Sequence, residues 1–447
     1  INNKLYVISS GDLRKENDKI ERKYSEDNQQ KEIPLNSIKY LKDIKTTKQT
    51  IFSTVDLENV EKEVGVKSYL IDISNAYVSE KSFYLLDQEY EGGYSSNPQI
   101  KDLFGTGGII GFFHNLYKYE YDYDYSDSGY KTKIYKFDIK EDGNIEYSAN
   151  TKTDGKTINQ YSLDEKDGHL RVALSDSKGS RVAIFDEKLD KIGETENLAK
   201  GENMYSSRFI GDRAYLVTYR TVDPLWVIDL SNEKSPKVLG ELSIPGYSTY
   251  LHPYDETHLI GIGMETKETV NRDSLGRVTS TTARIVGMKM ALFDVSNVNN
   301  PKQISSTVIG DSRTTSAILT NPKALLFSKE KELIAIPVNH YSSDFEIENT
   351  SDTYSSVISS YTSESTNYVG EGYLVYKLNL EEGFKQKGII THEKTSLMQN
   401  YYSYYYTTKM LRGMYIDNNL YTVSETALKV NDLETLKLIS ELKIKGE

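Results

Sequence analysis

Residues 117–130 read Tyr-Lys-Tyr-Glu-Tyr-Asp-Tyr-Asp-Tyr-Ser-Asp-Ser-Gly-Tyr, and residues 401–406 read Tyr-Tyr-Ser-Tyr-Tyr-Tyr. Tyrosine combines a large apolar ring with a polar tip and little side-chain entropy, so clustered tyrosines suit recognition surfaces. Along an extended strand successive side chains point to opposite faces. Alternation therefore sets Tyr119, Tyr121, Tyr123 and Tyr125 on one face and the charges on the other. These four, with Tyr402, Tyr404 and Tyr405, are the expected ligand contacts; packing of the rings against neighbouring loops is the competing role. Arg208 and Arg412 are expected at innermost-strand positions, where they suit an anion, an internal ion pair being the ordinary alternative. Glu120, Asp122, Asp124 and Asp127 are the candidate cation ligands, and alternation sets Asp122 and Asp124 side by side on the charged face, where a cation could bridge them. Their spacing departs from a calcium-binding EF-hand loop, with Asp127 where a glycine is needed and no closing glutamate. No metal or cofactor is expected on that ground, a structural calcium at Asp122, Asp124 and Asp127 being the alternative.

No catalytic residues are assigned. The six histidines include no pair at the i, i+4 spacing of a metalloprotease helix. His252 and His258 flank a turn, each expected as a hydrogen-bonding residue. Gly246-Tyr-Ser-Thr-Tyr250 lacks the second glycine of a nucleophile elbow, and no phosphate-binding loop or dinucleotide fingerprint occurs. Any two of the 66 acidic residues could converge as a glycosidase pair. A glycan-cleaving hydrolase or lyase, with carboxylates and tyrosines in a central funnel, is therefore the alternative to a binding protein.

Composition narrows the field. The 447 residues carry 54 Lys+Arg against 66 Asp+Glu, a net charge of −12, with no basic block. That argues against nucleic acid and anionic membrane surfaces, which both need clustered cations. No apolar run approaches the roughly 18 residues of a membrane-spanning helix. With no cysteine, disulfides, zinc–thiolate sites and thiol nucleophiles are excluded.

These residues must be positioned by strands. An apolar strand-type run ending in Asp or Asn recurs at 52–56, 134–138, 182–186, 226–229, 292–294, 374–379 and 428–431. A hairpin precedes most copies, as at Phe209–Ile210, Gly211–Asp212 and Ala214–Thr218, and an alternating strand follows, as at 236–244 and 301–309. Each unit reads as four strands, A to D. Seven copies predict an all-β chain, a seven-bladed β-propeller, forming one domain over 1–447. Blades are expected at 1–73, 74–153, 154–198, 199–245, 246–311, 312–393 and 394–447. Strand A of the first blade is missing from this count, and the chain opens inside a turn at Asn2-Asn3, so that strand is expected upstream, a ring that closes without it being the alternative. The Asp or Asn ending each strand C is expected to start a turn by accepting backbone N–H groups.

The stretch Asp223-Pro-Leu-Trp-Val-Ile-Asp229, followed by Ser235-Pro-Lys-Val-Leu-Gly240 and Ile244-Pro-Gly-Tyr-Ser-Thr-Tyr-Leu-His-Pro-Tyr-Asp255, resembles a known family. It is similar to secreted bacterial and archaeal proteins with a C-terminal β-propeller distantly related to WD repeats. The likeness is specific from about 210 to 300, and blade order extends it to the whole chain. It implies secretion or surface display and carries no catalytic residues.

Long connections fall between strands B and C at 10–48, 87–132, 265–287 and 339–372, and between blades at 392–409. In a propeller all of these stand on one face. Segment 13–32, densely charged, reads as a solvated helix. Long loops on a rigid scaffold usually carry function. The expectation is an extracellular or cell-surface, non-catalytic propeller that recognises a protein or a cell-wall or surface glycan. It would take no nucleic acid, and this region would not insert into a membrane. A structural spacer within a larger surface protein is the third reading.

Overall fold

The computed structural model describes residues 1, 3–12, 15–16, 19–20, 23–26, 29–34, 37–41, 46, 48–91, 129–219, 223–341, 368–392 and 410–444. They form seven four-stranded sheets, with no α-helix among the described residues. The chain divides into two compact units, one of residues 1–203 with 232–236, the other of 204–231 with 237–447.

In the first unit, blade 2 pairs Asn75–Val78, Ser82–Glu91, Gly129–Ile139 and Ile145–Asp154 as antiparallel strands A to D. Blade 3 does the same with Leu163–Lys166, His169–Asp176, Gly179–Phe185 and Lys191–Glu194. Blade 1 differs. Lys4–Asp12, Lys48–Asp56 and Gly65–Leu70 are strands B, C and D, and the fourth strand, Ile38–Tyr40, lies parallel to D. That strand comes from inside the B–C insertion, a contribution the repeat pattern does not reveal. Asn3 has φ +54°, and the Lys4 N–H donates to the Ile1 carbonyl at 2.9 Å.

In the second unit, blade 4 comprises Asn203–Ile210, Arg213–Tyr219, Asp223–Asp229 and Lys237–Ile244. Blade 5 comprises Tyr247–Pro253, His258–Arg272, Val278–Asp294 and Lys302–Ile309. Blade 6 comprises Leu326–Ser328, Leu333–Tyr341, Tyr368–Asn379 and Gly383–Thr391, and blade 7 Met410–Ile416, Asn419–Ser424, Ala427–Asp432 and Leu438–Lys443. Two expectations are corrected. Segment 13–32 holds short strand pairs, Lys15–Glu16 with Lys19–Ile20 and Lys23–Glu26 with Gln29–Glu32, in place of a helix. Segment 265–287 is a continuation of strands B and C of blade 5 as a two-stranded ribbon, paired from Glu265↔Gly287 to Arg272↔Val278. Its Thr and Val content favours extended backbone.

Central strands are apolar on both faces because a sheet packs on each side. In blade 2, Tyr84 and Leu86 join a core with Leu170, Val172 and Phe185, whereas Phe83 and Leu85 join one with Phe52, Tyr69 and Phe137. Phe137 sits 4.8 Å from the Phe52 ring and 4.9 Å from Tyr69. Tyr215, Val227, Leu251 and Phe293 form the corresponding core of blades 4 and 5, and Leu333, Tyr373, Val375 and Leu420 that of blades 6 and 7.

The recurrent Asp and Asn start turns. Asp229 and Asp294 each accept the N–H two residues on, from Ser231 and Ser296, at 2.9 Å, and Asn379 accepts from Glu381 at 3.1 Å. In blade 7 Asp432 takes the part, accepting from Thr435 at 2.7 Å. The neighbouring Asn431 instead donates to the Leu436 carbonyl at 2.9 Å.

Candidate functional site

Extra chain enters at the B–C ends of individual sheets. Strand B of blade 2 ends at Glu91 and its partner resumes at Gly129; in blade 6 the corresponding residues are Tyr341 and Tyr368. Blade 3 makes the same connection in a tight turn, with Asp176 paired to Gly179. Tyr119, Tyr121, Tyr123, Tyr125, Tyr402, Tyr404 and Tyr405 lie outside the described residues, as do Glu120, Asp122, Asp124 and Asp127. The blade 5 ribbon is described. Lys267 stands directly opposite Arg284, both exposed, and Thr269 opposite Thr282 shares their face two residues on. The tip exposes Val270, Leu275 and Val278.

Arg208 and Arg412 occupy strand A of blades 4 and 7 and are each half-buried. Their surroundings differ. Arg208 acts electrostatically on His252 of blade 5 strand A; burial, then that guanidinium, hold the imidazole down at about 4. His252 Nδ1 lies 3.0 Å from the Tyr250 hydroxyl, with the Phe327 ring 4.9 Å away, edge-on. His252 is thus an uncharged hydrogen-bonding residue at neutral pH. Arg412 acts on Tyr373, whose hydroxyl is driven up by burial and opposed by that guanidinium. Among the described residues the Arg412 Nη1 is buried without a hydrogen-bond partner.

Three further described histidines have local partners. His258 donates to Asp255 at 2.9 Å, and burial alone would raise that carboxyl. Hydrogen bonds from Lys329, the Thr257 N–H and His258 outweigh burial and hold Asp255 well below the usual carboxylate range. His169 pairs with Glu233. His392 lies 2.8 Å from each of the Ser424 and Thr422 hydroxyls. Among the described residues, no three His, Asp or Glu side chains gather as metal ligands, and no helix is long and apolar enough to cross a membrane.

A pocket of about 380 Å³ opens in the first unit, against the end of strand D of blade 2 and strands C and D of blade 3. Its floor is an ion-pair array. Arg181, 6 % exposed, donates through Nη1 to Asp176 at 2.7 Å and through Nε to Glu194 at 2.9 Å. Its Nη2 donates to the Asp154 carbonyl at 2.6 Å. Lys191 adds a bond to the second oxygen of Glu194 at 2.9 Å, and the Lys178 N–H donates to Asp176 at 2.7 Å. Lys131 pairs with the Asp154 carboxylate and, ahead of burial, which opposes it, lowers that group's pKa. Alternation along Ile145–Asp154 turns Thr151 and Thr153 inward to the wall. Sequence reasoning missed this pocket. The only trace is the Ser175-Asp-Ser-Lys-Gly-Ser180 turn, whose Asp and following Arg181 are unremarkable until strand register sets them against residues 151–154.

The sheets, their A-to-D strand order and the Asx turns define a class, the seven-bladed β-propeller. The beta propeller domain family matches residues 1–436, and the chain belongs to that family, in agreement with the resemblance carried by residues 210–300. It is 37 % identical over 204 residues to an uncharacterised protein of Methanocaldococcus jannaschii. It is 34 % identical over 208 residues to another of Archaeoglobus fulgidus. These alignments cover 44 % and 46 % of this chain and 30 % of each relative, so the chain matches under a third of their length. Among solved structures, the C-terminal WD40 domain of Sif2 is similar at TM-score 0.34 and 8 % identity, covering 71 % of this chain and 69 % of that one. Apo AztD from Citrobacter koseri is similar at TM-score 0.37 and 11 % identity, covering 89 % and 92 %.

Proposed function

We propose that this propeller is a non-catalytic recognition module acting outside the cell or at its surface, where it holds a protein or a surface glycan at the B–C ends of its blades. The observation that carries the reading is where the chain is elaborated. The sheets keep short C–D turns, such as Ser231 to Pro236, while extra chain enters between strands B and C in blades 1, 2, 5 and 6. Rigid sheets that confine variable chain to one position are a common design for recognition. The exposed cations and hydroxyls of the blade 5 ribbon suit polar partners.

The test is an array of cell-wall and surface glycans probed with the full chain. Parallel arrays use chains lacking 117–130 and 401–406, and a chain in which 267–284 is replaced by a two-residue turn. Binding that falls with these deletions, with the bound polymer recovered intact, supports recognition. Recovery of cleaved polymer would establish a hydrolase or lyase. Binding unchanged by every deletion would remove the B–C ends as the recognition surface.

A further inference from the structure

We infer that the pocket between blade 2 strand D and blade 3 is a saccharide site taking one or two residues of a neutral sugar. This deepens the proposed function and rests on it only in assuming recognition of a surface glycan. Three observations carry it.

The first is capacity. About 380 Å³ lies within the range of small-ligand sites, roughly 300–1,000 Å³. The tight Asp176↔Gly179 turn leaves the opening uncovered on the blade 3 side.

The second is charge. Four carboxylates and four basic side chains line the pocket, so the wall has no net charge. The acids at its floor are already neutralised in place: Asp176 and Glu194 by Arg181, Glu194 again by Lys191, and Asp154 by Lys131. An anion would meet the carboxylates. A zwitterion would find few charges left to pair. A polyol needs neither, only directed acceptors and donors.

The third is what the paired groups retain. Each carboxylate oxygen has two acceptor sites. Asp176 Oδ1 and Oδ2 each accept one hydrogen bond, from Lys178 N–H and Arg181, which leaves capacity for the O–H groups of a sugar. Thr151, Thr153 and Asn197 supply groups that both donate and accept, and the Lys178 ammonium, which makes no hydrogen bond among the described residues, supplies donors. Burying a guanidinium among carboxylates is commonly no more stabilising than an apolar replacement. An array of this kind at the floor of an open cavity is better explained by preorganised binding than by stability. Arg181 fixes the carboxylates in one geometry, so a sugar would meet acceptors that need no reordering.

The experiment is saturation-transfer NMR titration of the full chain with cellobiose, maltose, lactose and diacetylchitobiose, with glucuronate as the acidic control. Saturable binding of at least one neutral disaccharide, insensitive to added salt and absent for glucuronate, is expected. Thr151→Trp fills the cavity from an outer strand and is expected to weaken that binding by about 10-fold or more, and Thr151→Ser to retain it. Lys178→Gln, at an exposed turn, removes only a donor and is expected to weaken binding about 3-fold, and unchanged thermal melts verify each fold. No saturable binding of any of the four sugars would overturn the assignment, as would binding that Thr151→Trp leaves intact. In either case the deletion arrays still decide whether the B–C ends recognise a polymer, so the two readings fail separately.

Discussion

Tyr135 and Tyr373 make a controlled pair for hydrogen-bond energetics. Both are strand C residues with rings almost fully buried, at 1 % and 0 % exposure. The Tyr373 hydroxyl donates to the Ala324 carbonyl at 2.9 Å. Among the described residues the Tyr135 hydroxyl has no hydrogen-bond partner, and burial, then Asp87, push its pKa above the ordinary phenol value. Removing the Tyr373 hydroxyl breaks a bond and strands a buried carbonyl, at about 1–2 kcal/mol. Removing the Tyr135 hydroxyl relieves a buried unsatisfied group whose penalty is about 1–3 kcal/mol. It also opens a void of roughly 10 Å³, which at ~24 cal/mol per Å³ costs only about 0.2 kcal/mol. Tyr135→Phe should therefore stabilise by about 1 kcal/mol while Tyr373→Phe destabilises by a similar amount, a contrast near 2 kcal/mol between chemically identical changes. Urea unfolding followed by far-ultraviolet circular dichroism reads both, with midpoints compared at unchanged slope. Equal loss of stability in the two variants would refute the accounting and mean that the Tyr135 hydroxyl is satisfied by a buried water.

Further outcomes follow from the same packing. Arg181→Met leaves Asp176, whose side chain is 8 % exposed, without its guanidinium, and should cost about 3–5 kcal/mol in urea unfolding. Arg181→Met with Asp176→Leu should recover part of that loss. Gly193→Ala places a Cβ 1.9 Å from the Glu233 carbonyl oxygen, so this backbone contact must open. The expected loss is above about 3 kcal/mol, measured by thermal melt, and a loss under 1 kcal/mol would mean the contact is soft. His392 is held neutral by burial, then by Lys429, its pKa falling from the ordinary 6.5 to about 4. Because the folded pKa is the lower one, unfolding takes up a proton between those values. The contribution of His392 is present above pH 6.5 and lost as pH falls towards 4. His392→Gln should flatten the urea midpoint against pH across that window, and an unchanged slope would show that other groups set it.

Much of the fold is legible from local chemistry. An apolar run needs only its own residues to mark a strand, and Asp229 or Asp294 needs only the N–H two residues on to start a turn. The repeat of those two signals determines seven blades before any contact is known. Other features depend on partners distant in sequence. The charges of 13–32 suit a helix and a hairpin alike, and pairing decided for short strands. The polar ribbon at 265–287 reads as a loop because outside the sheet neither of its faces has a core to impose an apolar pattern. Ile38–Tyr40 pairs parallel to a strand 30 residues on at Ser68, which no tight turn announces. The pocket is the extreme case. Thr151 and Asp154 belong to one sheet and Asp176, Arg181 and Glu194 to the next, and none carries a distinguishing neighbour in sequence. Only strand register and sheet packing, set by apolar side chains elsewhere, bring their polar groups to hydrogen-bonding distance.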